Sequence, residues 1–162
     1  ALKLKPICKQ YNVPLIINDN VKLAKEIDAD GVHLGQDDLN IKAAREYLGA
    51  DKIIGVSAHN VKEALEAENG GADYLGSGAA FVTSTKTDAG AIDHKVLSDV
   101  AHSVKIPVVA IGGINKDNIS QLEGLGLDGV AVVSAIFAAD DISSAVIDLK
   151  AKAEKVAESS IK

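Results

Sequence analysis

Residues 14–38 read PLIINDNVKLAKEIDADGVHLGQDD, and this stretch decides the fold. An apolar run over residues 14–17 ends in Asn18 and Asp19. The helical pattern VKLAKEI comes next, with Asn20 placed to cap it, and a second apolar run over 31–34 leads into Asp37 and Asp38. Strand, helix and strand in that order make a βα unit of a parallel sheet, because parallel strands need a crossover connection.

The alternation continues along the chain. Further strand candidates are residues 53–56, 74–76, 107–111 and 129–133. Successive starts lie 17 to 33 residues apart, room each time for a helix and two short loops. Pro14 and Pro107 stand first in their runs, where a missing N–H does least harm. Asn60 is placed to cap VKEALEAEN, with Glu63 completing a capping box, and Asp117 or Asn118 to cap the helix through Gln121 and Leu122. Gly49, Gly70 and Gly126 suit left-handed helix ends. Ile142, Ala145, Val146, Leu149 and Ala153 form the stripe of a last helix over about residues 141–157. In ADGVHLG, ADYLGSG and LDGVAVV, an Asp (Asp30, Asp73, Asp128) precedes a buried strand, on the face opposite the polar clusters, and reads as a structural loop residue.

A chain of 162 residues buries one core, and no linker or composition shift divides it, so residues 1–162 read as one domain. The content of 47% hydrophobic but only 3% aromatic residues fits a core of Val, Ile, Leu and Ala between sheet and helices. A net charge of −6 with no basic stretch argues against nucleic acid or anionic membrane as partner. Cys8 is alone, which excludes a disulfide framework and a cysteine metal site. No apolar run reaches about 18 residues and no signal-peptide pattern opens the sequence, so a cytoplasmic protein is expected. The start, ALKLKPICKQYNV, reads as the later part of an amphipathic helix with no strand before it, as in a piece of something longer. Six units fall short of an eight-stranded barrel, and an open doubly wound sheet would want a Gly-rich loop after residue 17, where there is none. The expected fold is α/β, a TIM (β/α)8 barrel with about six of its eight βα units in this chain.

The strand ends carry the chemistry. A βα-barrel gathers them on one face, which would bring Asn18, Asp19, Asp38, Ser57 and the Thr83, Ser84, Thr85, Lys86 run together. Two carboxylates suit Mg²⁺ that is shared with substrate phosphates. Hydroxyls, backbone N–H groups and a lysine suit phosphate oxygens. Ser57 and His59 resemble a nucleophile and base, but two positions apart in a loop, with no acid to orient the histidine, they read better as a ligand contact and a structural residue. His33 lies inside a strand and fits a pocket contact and a satisfied barrel histidine equally, whereas His94 and His102 read as helix-surface residues. Gly112 and Gly113 end the penultimate strand and Ser134 closes the last, the standard phosphate position of such a barrel. Two anion sites result: a metal-assisted one near Asp19, Asp38 and Lys86, and a metal-free one near Gly113 and Ser134.

LIINDNVKLA, DGVHLGQDD, GVSAHN, TSTK, IGGI and DGVAVVSAI, in this order and spacing, resemble the thiamine-phosphate synthase family over essentially the whole chain. The resemblance implies a transferase that joins hydroxymethylpyrimidine diphosphate to thiazole phosphate, giving thiamine phosphate and diphosphate through dissociative loss of the leaving group. It implies Asp19 and Asp38 as Mg²⁺ ligands and Asn18, Ser57 and Lys86 as contacts to the pyrimidine diphosphate, with Ser57 and Lys86 the catalytic pair. It implies Thr83, Ser84, Thr85, Gly113, Val133 and Ser134 at the thiazole phosphate. The family begins with two more βα units, the second bearing a Gln-x-Arg-x-Lys grip on the diphosphate, and AAFVTSTK stands where a proline-containing loop is usual. A barrel short of those units is expected to be weak or inactive and leaves room for pairing with a second copy. The competing readings are a non-catalytic phosphate-ligand binder and the related thiazole tautomerase, which needs neither diphosphate nor metal.

Overall fold

The structure is a computed structural model that describes residues 1–82 and 91–160. Six strands, β1 (Ile16–Asn18), β2 (Gly31–Leu34), β3 (Ile53–Ala58), β4 (Tyr74–Gly78), β5 (Val108–Ile111) and β6 (Gly129–Ala131), form one parallel sheet in sequence order. Helices α1 (Lys5–Gln10), α2 (Val21–Glu26), α3 (Ile41–Leu48), α4 (Val61–Gly70), α5 (His94–Ser103), α6 (Ser134–Phe137) and α7 (Ile142–Glu158), with a 3₁₀ turn at Ile119–Leu122, fill the connections. Among the described residues this is a six-stranded partial barrel of the TIM kind, without the two further units of a full eight-unit barrel.

Alternation along each strand separates two faces. Val32, Leu34, Ile54, Val56, Leu75, Val108 and Ala110 point to the helices and pack with Ala44, Ala64, Leu97, Val100, Ile119 and Leu122 in one core. Each fully buried leucine or isoleucine there contributes about 1.5–3 kcal/mol of transfer free energy. The other face carries His33, Gly55, Ser57, Tyr74, Gly76 and Gly78, small or polar residues that a packed apolar layer would not tolerate.

The loop aspartates are structural, as expected. Asp30 Oδ2 accepts the Leu15 N–H, Asp73 Oδ2 the Ile54 N–H and Asp128 Oδ2 the Val108 N–H, each at 2.7 Å. One carboxylate thus tethers the entry of a neighbouring strand at three points around the sheet. Asn20, Asn60 and Asp141 cap α2, α4 and α7. The left-handed C-cap of α4 is Gly71 (φ 92°), one residue beyond the expected Gly70. Strand β6 stops at Ala131 rather than at 133, because its last partner, Ile111, is followed by Gly112 at φ 100°, which turns the neighbouring strand away. Ser134 therefore opens α6 instead of closing a strand.

Candidate active site

The strand C-termini surround a cavity of about 320 Å³. Its wall includes Asn18 from β1, His33 from β2, Ser57 and His59 from the end of β3, Gly76 and Gly78 from β4, Gly113 after β5, and Val133 and Ser134 after β6. Chain segments more than 100 positions apart meet here because all six strands run the same way.

Ser57 is held by a strand neighbour. Its Oγ lies 3.0 Å from His33 Nε2, and its carbonyl accepts the Gln36 amide at 2.5 Å. His33 Nδ1 in turn lies 3.0 Å from the Tyr74 hydroxyl. The histidine beside Ser57 in space is therefore His33, not His59, and His33 is both a pocket residue and a hydrogen-bonded one. His59 is oriented after all: Glu63 Oε2 accepts its backbone N–H at 2.8 Å and lies 2.9 Å from its ring Nδ1. The capping box is thus shifted by one residue, since Asn60 Oδ1 accepts the Glu63 N–H while the Glu63 carboxylate reaches back to His59 rather than to the Asn60 N–H. Burial raises the Glu63 carboxyl pKa, but the His59 backbone N–H, the His59 ring and the Asn60 amide outweigh it, so the group titrates below its ordinary value.

The two acidic residues expected to bind metal stand just beyond adjacent strands. Asp19 adopts φ 63°, and its N–H donates to His33 O at 2.8 Å, tying the end of β1 to β2. Asp38 turns one carboxylate oxygen back onto the Gly35 N–H at 2.6 Å. Neither lines the main cavity; Asp38 faces a separate depression of about 170 Å³ beside Gln36, Asn40, Glu63 and Glu66. Among the described residues no group of three His, Cys, Asp or Glu side chains is close enough to hold a metal. Asp19 and Asp38 stand just past neighbouring strands, and carboxylates are the donor type that Mg²⁺ takes. Thr83, Ser84, Thr85 and Lys86 lie outside the described residues.

The Gly112–Gly113 corner is built for close approach. Gly113 has φ 66°, and a Cβ there would sit 2.7 Å from the carbonyl oxygens of Phe81 and Val82. Asn118, expected as a helix cap, makes no such bond. It donates instead from Nδ2 to Gly113 O at 2.9 Å and accepts the Asn115 N–H at 2.8 Å, holding the corner in place. A local cap signal hid this role, as it hid that of Glu63. Tyr74 was read only as a strand residue, although its place next to the buried, helix-facing Leu75 already put it on the inner face.

The sequence profile described as thiamine monophosphate synthase matches residues 1–136. The thiamine-phosphate synthase of Clostridium acetobutylicum is 56% identical over 142 residues, which are 88% of this chain and 67% of that protein. The solved thiamine phosphate pyrophosphorylase from Pyrococcus furiosus superposes with a TM-score of 0.88 at 44% identity, over 96% of this chain and 74% of that one. A 3-hexulose-6-phosphate synthase from Salmonella typhimurium, at TM-score 0.70 and 20% identity over 94% of this chain and 79% of its own, shares the fold alone. The chain spans about two thirds to three quarters of the length of these synthase relatives.

Proposed function

Because the chain belongs to the thiamine monophosphate synthase family, a family of transferases, we propose that its cavity joins hydroxymethylpyrimidine diphosphate to thiazole phosphate, yielding thiamine phosphate and diphosphate. The observation that carries this reading is a shared wall. Asn18 and Ser57, assigned to the pyrimidine diphosphate, and Gly113, Val133 and Ser134, assigned to the thiazole phosphate, line one cavity.

The reaction needs two substrates side by side rather than a protein nucleophile. Loss of diphosphate leaves a pyrimidine-methyl cation, which the thiazole nitrogen captures. Proximity in one cavity makes that capture effectively intramolecular. Ser57, held through His33, orients the pyrimidine end. The turned backbone at Gly112 and Gly113, with the Ser134 hydroxyl, offers donors to the thiazole phosphate. Lys86 adds a positive charge for the departing diphosphate. Asp19 and Asp38 would hold Mg²⁺, which when bound neutralises charge on the leaving group. The substrates are small molecules, and among the described residues no helix is long and apolar enough to cross a membrane.

The test is diphosphate release with both substrates and Mg²⁺, with product identified by mass. The reading predicts Mg²⁺-dependent release that requires both partners and gives thiamine phosphate. Binding of thiazole phosphate without release would make the chain a binding protein, and metal-independent isomerisation of a thiazole would make it a tautomerase.

A further inference from the structure

Three strands place His33, Gly55 and Tyr74 in one row: His33 pairs with Gly55, and Gly55 with Tyr74. Two rings flank a residue with no side chain. Tyr74 uses the vacancy, lying across β3 so closely that a Cβ on Gly55 would stand 2.1 Å from its Cζ. The phenol thereby reaches over β3 to His33 Nδ1 at 3.0 Å, with ring centroids 5.4 Å apart. One row nearer the cavity, Ser57 pairs with Gly76, again without a side chain, and a Cβ on Gly76 would press within 3.1 Å of His33 Cε1. Tyr74, His33 and Ser57 form a line of hydrogen bonds from the barrel interior to the cavity wall. Of the three, only His33 and Ser57 line the wall.

The direction of the protons follows from the inner end. Partial burial raises the Tyr74 phenol pKa, so the group stays protonated, and a half-buried O–H is best satisfied by an acceptor. With Nδ1 as that acceptor at 3.0 Å, the hydrogen would lie on Nε2. Nε2–H then donates to Ser57 Oγ, and the Ser57 hydrogen is free to point into the cavity.

We propose that Tyr74 is a positioning residue for Ser57: through His33 it fixes the serine hydroxyl as a donor to the bound pyrimidine diphosphate. This rests on the substrate reading given above. The role is specific to orientation, since Tyr74 itself contributes nothing to the cavity wall.

Two variants and two readouts test it. Tyr74→Phe keeps the ring and removes the donor; Gly55→Ala keeps the donor and pushes the ring away from His33. In the wild type, nitrogen NMR of the His33 imidazole should show Nδ1 unprotonated and Nε2 protonated, and both variants should lose that pattern. In turnover, kcat should fall about ten- to a hundredfold in each while KM for the pyrimidine diphosphate changes less than about threefold. The double variant should be no worse than either single one, as expected for two lesions in one line of contacts. A protonated Nδ1 in the wild type, a Tyr74→Phe enzyme with wild-type kcat, or additive losses would overturn the proposal. A wild-type protein without turnover would instead count against the assigned reaction, and the imidazole spectra, which need no substrate, would still decide the relay.

Discussion

Ile54, Val56 and Leu75 sit beside Gly55, Ser57, Tyr74 and Gly76 on the same two strands, yet the two sets obey opposite rules. The first set faces the helices and is closed from solvent. It is interchangeable in kind, asking only for apolar volume and shape. The second set faces the inside of the barrel, where nearly every position is either a glycine that makes room or a polar group that the room serves. Alternation along a strand thus splits one sheet into a stabilising face and a reacting face. A substitution should reveal which face it touches by what it changes, stability or ligand.

The largest expected effect tests the first face. Leu75→Ala should lose about 3 kcal/mol in urea unfolding, the usual cost of a truncated core leucine, with ligand affinity of the folded protein unchanged. A large loss of affinity at full stability would break the comparison. Next, on the reacting face, Gly113→Ala should weaken thiazole phosphate binding by about tenfold or more in calorimetry, because the phosphate corner must shift away from Phe81 and Val82. Its stability cost should be at least about 1 kcal/mol, the strain of one left-handed residue, because two backbone carbonyls must also give way. Equal phosphate affinity would detach this corner from the site.

The smallest effect lies where the faces join. Glu63→Gln should cost about 1 kcal/mol at neutral pH, the worth of an N-terminal helix cap. The Glu63 carboxyl titrates in the folded protein below its ordinary 4.5. Its contribution is therefore complete above that value and is lost as pH falls through the lower folded one. The stability gap between wild type and variant should close on acidification below pH 4.5, and a gap that stayed constant would remove the carboxylate from the account.

What could be read in the sequence was whatever one strand or one helix end decides by itself. The six strands followed from apolar runs, and Asp30, Asp73 and Asp128 from their place before those runs. Caps at Asn20 and Asn60 needed only local chemistry. The family and its reaction were legible from motifs. Pairings that depend on register were not. Val32 and Leu34 facing the helices already put His33 inside, and Val56 and Ala58 did the same for Ser57, but only the strand register brings Nε2 to Oγ. Near neighbours misled in the same way: His59 is two residues from Ser57 yet belongs to Glu63, and Asn118 opens a 3₁₀ turn yet serves Gly113. The end of β6 depended on where its partner β5 turned, which no pattern within residues 129–133 records. Mg²⁺ binding by Asp19 and Asp38 and the roles of Thr83, Ser84, Thr85 and Lys86 remain proposals that rest on the resemblance.

The central claim is that both substrates share the cavity at the strand C-termini. A crystal structure with thiamine phosphate bound tests it most directly. The account predicts the pyrimidine within hydrogen-bond reach of Ser57 and the phosphate on the backbone at Gly113 and Ser134. Thiamine phosphate bound outside this cavity, or inside it with the two ends exchanged, would contradict the account.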